Sequence, residues 1–181
     1  DVAVHDSSYV GRLKATGPDA LDLLNRMSTN QVLSLEPGQG APTILTTDRG
    51  RILDLIGVVN FGEYVLLLTS PGEQQRVIDW LDKYTIMEDL TVEDVSSSTA
   101  MLALLGPASR KFLQAATGVS LSDLQAHQSL IADLSGCQVR IVACGVSDLP
   151  GFYLISPTDM VAELWQRVAE AGAEPVGEGA Y

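Results

Sequence analysis

Asp54 is the side chain whose surroundings in this sequence are most unusual for its type. It lies within the apolar run Ile52–Val59, where an ionised carboxylate is costly to bury unless it is paired or hydrogen-bonded. The position therefore faces either water or a ligand, and water is the commoner surrounding of aspartate in folded proteins. A carboxylate that faces a ligand can accept a proton or stabilise a positive charge. Asp54 is for this reason the first candidate for a functional residue.

Other groups with well-known chemistry are few. The histidines are His5 and His127, and neither Cys137 nor Cys144 has the spacing of a zinc ligand, so we expect no metal site. The cysteines are seven residues apart in one predicted strand, which places them on opposite faces and predicts free thiols in a reducing cytoplasm. The sequence has no G-x-S-x-G or P-loop motif, and its G-x-G fragments do not complete a dinucleotide-binding motif.

The pattern around Asp54 predicts a β-hairpin, Thr43–Val59, with a tight turn at residues 48–51. Both flanking runs are rich in Ile, Leu and Val, and Gly50 supplies the backbone freedom that the turn needs. The neighbouring elements follow from the same kinds of pattern. In chain order they are a strand Arg12–Thr16, a helix that begins near Pro18, a strand Tyr64–Thr69, a helix from Ser70 to about Tyr84, and a strand Thr91–Val95.

Two dipeptides that interrupt the pattern of predicted strands and helices, Gly-Pro and Ser-Pro, each occur twice along the chain. Gly17-Pro18 returns 89 residues later as Gly106-Pro107, and Ser70-Pro71 returns 86 residues later as Ser156-Pro157. The nearly equal offsets predict an internal repeat of the form β-α-β-β-α. The fold class is therefore α+β, with two related modules of the split-βαβ, ferredoxin-like kind and mostly antiparallel sheets. We expect residues 1–97 and 98–181 to form the modules, with residues 1–10 a candidate for packing with the second.

Charge and hydropathy exclude some classes of function. The formal net charge is −12, with 23 acidic and 11 basic residues, so we expect no broad nucleic-acid binding. No apolar run approaches the roughly 18 residues of a membrane helix, and no signal peptide is visible. The sequence therefore predicts a cytoplasmic protein without membrane contact.

Several stretches, taken together, resemble the aminomethyltransferase (glycine cleavage system T protein) and YgfZ-like folate-binding family. They keep the order and spacing of that family over nearly all 181 residues. The stretches are Asp6-Ser7-Ser8 with Gly11, Gly17-Pro18-Asp19-Ala20, Asn25–Asn30, Leu35-Glu36-Pro37-Gly38-Gln39-Gly40, Arg49-Gly50-Arg51-Ile52-Leu53-Asp54, Leu104-Leu105-Gly106-Pro107 and Ala171-Gly172-Ala173-Glu174-Pro175-Val176-Gly177.

The resemblance implies a pair of α+β modules, and it implies that the family's C-terminal β-domain is absent from these residues. It implies tetrahydrofolate as cofactor and, for a transferase, a lipoyl carrier protein as partner. Asp54 is then the expected catalytic residue and a folate contact. Val10 is a second folate contact, because it falls where relatives place an apolar residue over the folate.

The chain departs from the family at the positions that hold the pterin. Asp54 matches the first of two consecutive aspartates, whereas the working second position is Leu55, which faces the other side of a strand. Leu149 takes the place of the pterin-binding glutamate, and the pocket tyrosines fall at Pro42 and Val59. Three functions are therefore expected alternatives: a folate-dependent aminomethyltransferase, a YgfZ-like folate-binding protein that aids iron–sulfur enzymes or tRNA modification, and a non-catalytic structural module.

Overall fold

The computed structural model describes residues 1–146 and 149–177, and for residues 145, 146 and 149 it describes the backbone alone. Contacts between Cα atoms divide the chain into a first unit, Tyr9–Ser96, and a second unit, Asp1–Ser8 with the chain from Ser97 onward. The strands are β1 (Ala3–Asp6), β2 (Gly11–Thr16), β3 (Gly40–Thr46), β4 (Ile52–Asn60), β5 (Val65–Thr69), β6 (Thr91–Asp94), β7 (Thr99–Leu105), β8 (Ser129–Leu134), β9 (Cys137–Val146), β10 (Leu149–Pro157) and β11 (Glu174–Pro175). The helices are α1 (Ala20–Met27), α2 (Gln74–Tyr84), α3 (Ser109–Thr117) and α4 (Val161–Glu170), the last preceded by a 3₁₀ turn, Thr158–Met160.

The first unit is a five-stranded antiparallel sheet in the order β3-β4-β5-β2-β6, with both of its helices packed on one face. Helix α2 buries Val77 and Leu81, which are four residues apart and therefore on one side of the helix. Leu13 and Leu67 are cross-strand partners in the middle of the sheet and belong to the same core. The predicted periodicity of the helix and the strands thus produces one helix-covered core.

The second unit is a six-stranded sheet in the order β11-β1-β7-β10-β9-β8. Its pairings are antiparallel except for the short parallel pair of β1 with β11. Leu113 of α3 and Leu164 of α4 pack with strand residues such as Phe152 in a second core. Cys137 and Cys144 both lie in β9 and are free thiols.

The predicted α+β class with two related, mostly antiparallel modules is confirmed. The repeat extends to the turns: Gly17 and Gly106 have φ angles of 116° and 120° at the starts of equivalent segments. Each unit also has a loop in which a glutamine side chain accepts the backbone N–H of the residue three positions earlier. The acceptors are Gln39 (3.0 Å from Glu36) and Gln128 (2.9 Å from Gln125), again 89 residues apart. In each unit three strands lie between the two helices, whereas the predicted β-α-β-β-α repeat has two strands there.

Candidate functional site

Asp54 lies where the β3–β4 ladder is interrupted. Leu45 pairs with Asp54, but the next pair is Thr46 with Ile52, so Leu53 has no partner and forms a β-bulge. A bulge inserts one residue into a strand and breaks the strict alternation of its faces. Leu53 and Asp54 are consequently both buried, although they are adjacent. The expectation that Asp54 faces water is wrong, because only 5% of the residue is exposed.

The Asp54 carboxylate is held by three hydrogen bonds. Its Oδ1 accepts the Ser70 hydroxyl at 2.6 Å and the backbone N–H of Leu55 at 2.9 Å. Its Oδ2 accepts the backbone N–H of Ser70 at 3.0 Å. A buried carboxylate needs such donors to offset the loss of hydration. We call this arrangement the Asp54–Ser70 clamp; it ties the bulge of β4 to the turn between β5 and α2.

Ser70 is placed for this contact by the break that the sequence shows before α2. Strand β5 ends at Thr69, and the Ser70 carbonyl accepts the backbone N–H of Glu73 at 3.1 Å as the chain turns into the helix. A carboxylate has about four acceptor positions, so three donors from within the unit use most of its capacity. The sequence reasoning did not identify Ser70 as a site residue. The recurrent Ser-Pro break was the signal that could have identified it.

Leu55 presents its side chain on the other face of β4 and is 61% exposed. It pairs with Ile44 of β3, while Pro42 pairs with Gly57 and Gly40 pairs with Val59. Because side chains alternate along a strand, Leu55, Pro42 and Val59 share one face of the hairpin. The structure therefore brings together three of the positions that the family resemblance marks for the pocket, and each of the three carries an apolar side chain here.

Val10 lies in the turn before β2 and is partly buried. Its carbonyl accepts Arg12 Nη1 at 2.5 Å, and Arg12 Nη2 donates to the Ser96 carbonyl at 2.6 Å. Arg12 is fully buried, which the sequence did not predict, because a lone arginine in a strand is usually exposed. The folate contacts of Val10 and Asp54 and the catalytic role of Asp54 stay predictions. The side chain of Leu149 and all of Asp148 lie outside the described residues.

The described residues contain no assembled metal site, and Cys144 is not an activated nucleophile. Burial raises the pKa of the Cys144 thiol to about 12, so its nucleophilic thiolate is scarce at neutral pH. Burial also lowers the pKa of His127. Within residues 1–146 and 149–177, no three His, Cys, Asp or Glu side chains converge on a point where a metal ion could bind. Across the same residues, no helix is both long and apolar enough to span a membrane.

Comparison with known proteins gives a match over the whole chain. The model of the GCVT N-terminal domain family matches residues 1–181. The chain is 31% identical over 180 residues to an aminomethyltransferase of Halothermothrix orenii, covering 97% of this chain and 50% of the relative. It is 30% identical over 181 residues to an aminomethyltransferase of Halalkalibacterium halodurans, covering 97% of this chain and 49% of the relative. The chain thus spans about half the length of these curated relatives.

Two solved structures share the fold. The glycine cleavage system aminomethyltransferase T of Bartonella henselae superposes with a TM-score of 0.83 at 22% identity, over 97% of this chain and 47% of that protein. Heterotetrameric sarcosine oxidase from Corynebacterium sp. U-96 superposes with a TM-score of 0.71 at 16% identity, over 94% of this chain and 83% of that chain. At such identities the likeness establishes the fold and no shared chemistry.

Proposed function

Because this chain belongs to the GCVT N-terminal domain family, we propose that it binds tetrahydrofolate as part of an aminomethyltransferase-type protein. The observation that carries the proposal is the family match over residues 1–181, together with curated relatives named aminomethyltransferase that cover 97% of the chain. The proposed partners are tetrahydrofolate and, in the transfer reaction, a lipoyl carrier protein.

The β3–β4 hairpin is the proposed folate-facing surface. Leu55 and Pro42 are exposed on its one face, and an apolar face suits the flat ring of a pterin. Val10 is the proposed apolar folate contact, whereas Asp54 lies on the opposite face, so its proposed part in folate binding is to hold the backbone of Leu55 in place. The Asp54–Ser70 clamp supports this arrangement because it fixes the backbone N–H of Leu55 and hence the course of β4.

Leu55 favours a second candidate function, folate binding without methylene transfer. The resemblance places a working carboxylate at this position, where it can accept a proton or stabilise a cationic one-carbon group. An exposed leucine can do neither, and the carboxylate of the adjacent residue, Asp54, is engaged on the opposite face. The second candidate is a YgfZ-like protein that binds folate and supports iron–sulfur enzymes or tRNA modification.

Titration calorimetry of the full-length gene product with tetrahydrofolate tests the binding that both candidates require. We expect saturable binding and a matching thermal stabilisation of about 2.7 kcal/mol at a ligand concentration of about 100 times the dissociation constant. If the titration shows no heat of binding and the ligand gives no stabilisation, both candidates are overturned and the structural module is the remaining alternative.

A transfer assay with tetrahydrofolate and an aminomethyl-loaded lipoyl carrier protein separates the two candidates. If the wild-type protein transfers the methylene group, the first holds; if it binds folate without transfer, the second holds. In the second case Leu55→Asp restores the carboxylate, and we expect transfer to rise by about 10²-fold or more. Ile52→Asp is the matched control, since Ile52 is an exposed apolar residue of the same strand, 67% exposed, and should gain nothing. Equal gains in both variants would show that charge on the strand, rather than the Leu55 position, matters.

A further inference from the structure

Gly57 lies in the middle of β4, a strand that is paired on both sides, with β3 and with β5. Glycine weakens the interior of a strand, because it loses more backbone freedom on folding than other residues do and has no side chain to pack. Three reasons commonly account for such a glycine: a bulge, a backbone conformation that other residues avoid, or the close approach of another group. The first two can be read directly from the backbone.

Neither of these backbone reasons applies to Gly57. The bulge of β4 is at Leu53, and the pairing of Gly57 with both neighbouring strands is regular. Its φ angle is not positive. A Cβ placed on Gly57 would meet the side chain of Leu68 first, at 3.5 Å, which is ordinary van der Waals contact. Alanine therefore fits this position among the described residues.

Two other strand glycines show the contrast. A Cβ on Gly11 would lie 2.1 Å from Thr69 Oγ1, and a Cβ on Gly151 would lie 2.6 Å from Leu105 Cδ2. At both positions neighbouring atoms would have to move, so close packing within the protein accounts for the glycine. At Gly57 the missing side chain instead leaves space that the described residues do not fill.

This space is a notch on the face of the hairpin that carries Leu55. Gly57 pairs with Pro42 of β3 and with Leu68 of β5, and Leu55 precedes it by two residues in β4. Cross-strand partners, and residues two apart in one strand, point to the same side of a sheet. Three apolar side chains therefore border the empty position. We call this feature the Gly57 notch.

The notch is open at one end and has the width of a flat ring. Leu55 is 61% exposed, whereas Val59, two residues beyond Gly57, is 2% exposed. Neighbouring strands lie about 4.8 Å apart, so Pro42 and Leu68 are about 9–10 Å from each other across β4. Carbon atoms pack best at about 3.5–4.0 Å, so a ring that contacts both side chains needs about 7–8 Å between them. A ring that stands on its edge thus fits between them.

We propose that the ring system of the folate stands in the Gly57 notch, between Pro42 and Leu68, and touches the backbone of β4, so that Gly57 determines how deeply the ring enters. This inference rests on the proposed function, because its ligand is the tetrahydrofolate proposed there. It adds the place of the ring and the residue that limits its approach. Gly57 is a contact residue and has no part in the chemistry of transfer.

Calorimetric titration of the full-length protein with tetrahydrofolate tests the contact. Gly57→Ala and Gly57→Val fill the notch in two steps, and we expect the dissociation constant to rise by about tenfold and about a hundredfold. Ile52→Phe is the matched control, because Ile52 is an exposed apolar residue of the same strand outside the notch and its enlargement should leave the affinity unchanged. Wild-type affinity in both Gly57 variants would overturn the inference and leave the proposed function in place. If wild type itself does not bind, the proposed function fails, and the inference fails with it.

The melting temperatures of the same proteins, measured without ligand, separate a ligand contact from a structural role. Alanine restricts the unfolded chain and valine favours strands, so we expect Gly57→Ala to melt about 2 °C or more above wild type and Gly57→Val not to melt below it. Affinity and stability should therefore change in opposite directions. If Gly57→Ala lowers both, the glycine serves the packing of β4 and the inference is wrong. Gly57→Ala decides this point even if the larger valine is poorly accommodated.

Tetrahydropteroate, which has the ring system of tetrahydrofolate without its glutamate, tests which part of the ligand occupies the notch. If the ring stands there, Gly57→Ala should weaken the binding of both ligands by the same factor. A loss of affinity for tetrahydrofolate alone would place the glutamate in the notch and overturn the inference.

Discussion

Replacing Asp54 by Asn isolates the contribution of the Asp54–Ser70 clamp to the first unit. The amide can keep one oxygen for the Ser70 hydroxyl and the Leu55 N–H, but its NH₂ group then points at the backbone N–H of Ser70. A hydrogen bond to a charged group contributes about 1.5–3 kcal/mol, and a buried donor left without an acceptor adds a desolvation cost. We therefore expect Asp54→Asn to lower the free energy of unfolding by about 2–3 kcal/mol, or about 10–20 °C in melting temperature for a unit of this size.

Urea unfolding followed by Trp80 fluorescence measures this change in the correct unit. The chain has two tryptophans, and Trp165 lies in the second unit, so a Trp165→Phe background leaves Trp80 as the reporter. Asp48→Asn is the matched control, because Asp48 lies exposed in the hairpin turn next to β4 and should change stability by less than about 0.5 kcal/mol.

Ser70→Ala removes the hydroxyl and leaves the backbone donor. We expect it to cost about 1–2 kcal/mol, and the double variant Asp54→Asn/Ser70→Ala to cost less than the sum, since the two side chains share one contact. If Asp54→Asn were as stable as Asp48→Asn, the Asp54 carboxylate would not stabilise the unit and would be held for another reason. If the two costs simply added, the Asp54 and Ser70 side chains would not act through one shared contact.

Further substitutions probe the backbone and the charges. His127 has a φ of 64° where the repeat has a glycine in the first unit, so His127→Gly should stabilise the second unit by up to about 1 kcal/mol in urea unfolding. Ala126→Gly should instead destabilise it by about 0.5–1 kcal/mol, and the opposite order would contradict this account. Gly17→Ala places a Cβ 2.0 Å from a backbone oxygen and should cost more than about 3 kcal/mol, whereas Gly50→Ala meets no atom within 4 Å and should cost about 1 kcal/mol by the same measurement. A hydrogen bond from a neighbouring guanidinium, reinforced by backbone N–H groups, lowers the pKa of Glu88 from 4.5 to about 2. This contribution to stability is present above the ordinary pKa and is lost as pH falls towards 2, so the urea midpoint of wild type should fall more steeply over that range than that of Glu88→Gln. Parallel pH profiles would contradict it.

Much of the fold follows from local patterns in the sequence. The 3.6-residue period of Val77 and Leu81 predicts α2, the apolar runs on either side of Gly50 predict the β3–β4 hairpin, and the recurring Gly-Pro and Ser-Pro breaks predict the repeat. The first two signals depend on residues close together in the chain, where backbone geometry and burial act directly, and the third depends only on the recurrence of a short motif. Strands β1, β8 and β11 were not predicted. β1 and β11 are too short for a clear period, and β1 pairs with β7 about 100 residues away, a contact that local patterns do not encode.

The sequence alone marked Asp54 as a carboxylate out of place, and the family resemblance marked Leu55 as the working position beside it. The tertiary structure decided what Asp54 does. The bulge at Leu53 places two adjacent residues in the interior, and the turn before α2 brings Ser70, 16 residues along the chain, to the carboxylate. Periodicity cannot show either feature, because a bulge depends on the register of the partner strand and a buried carboxylate depends on donors from distant segments.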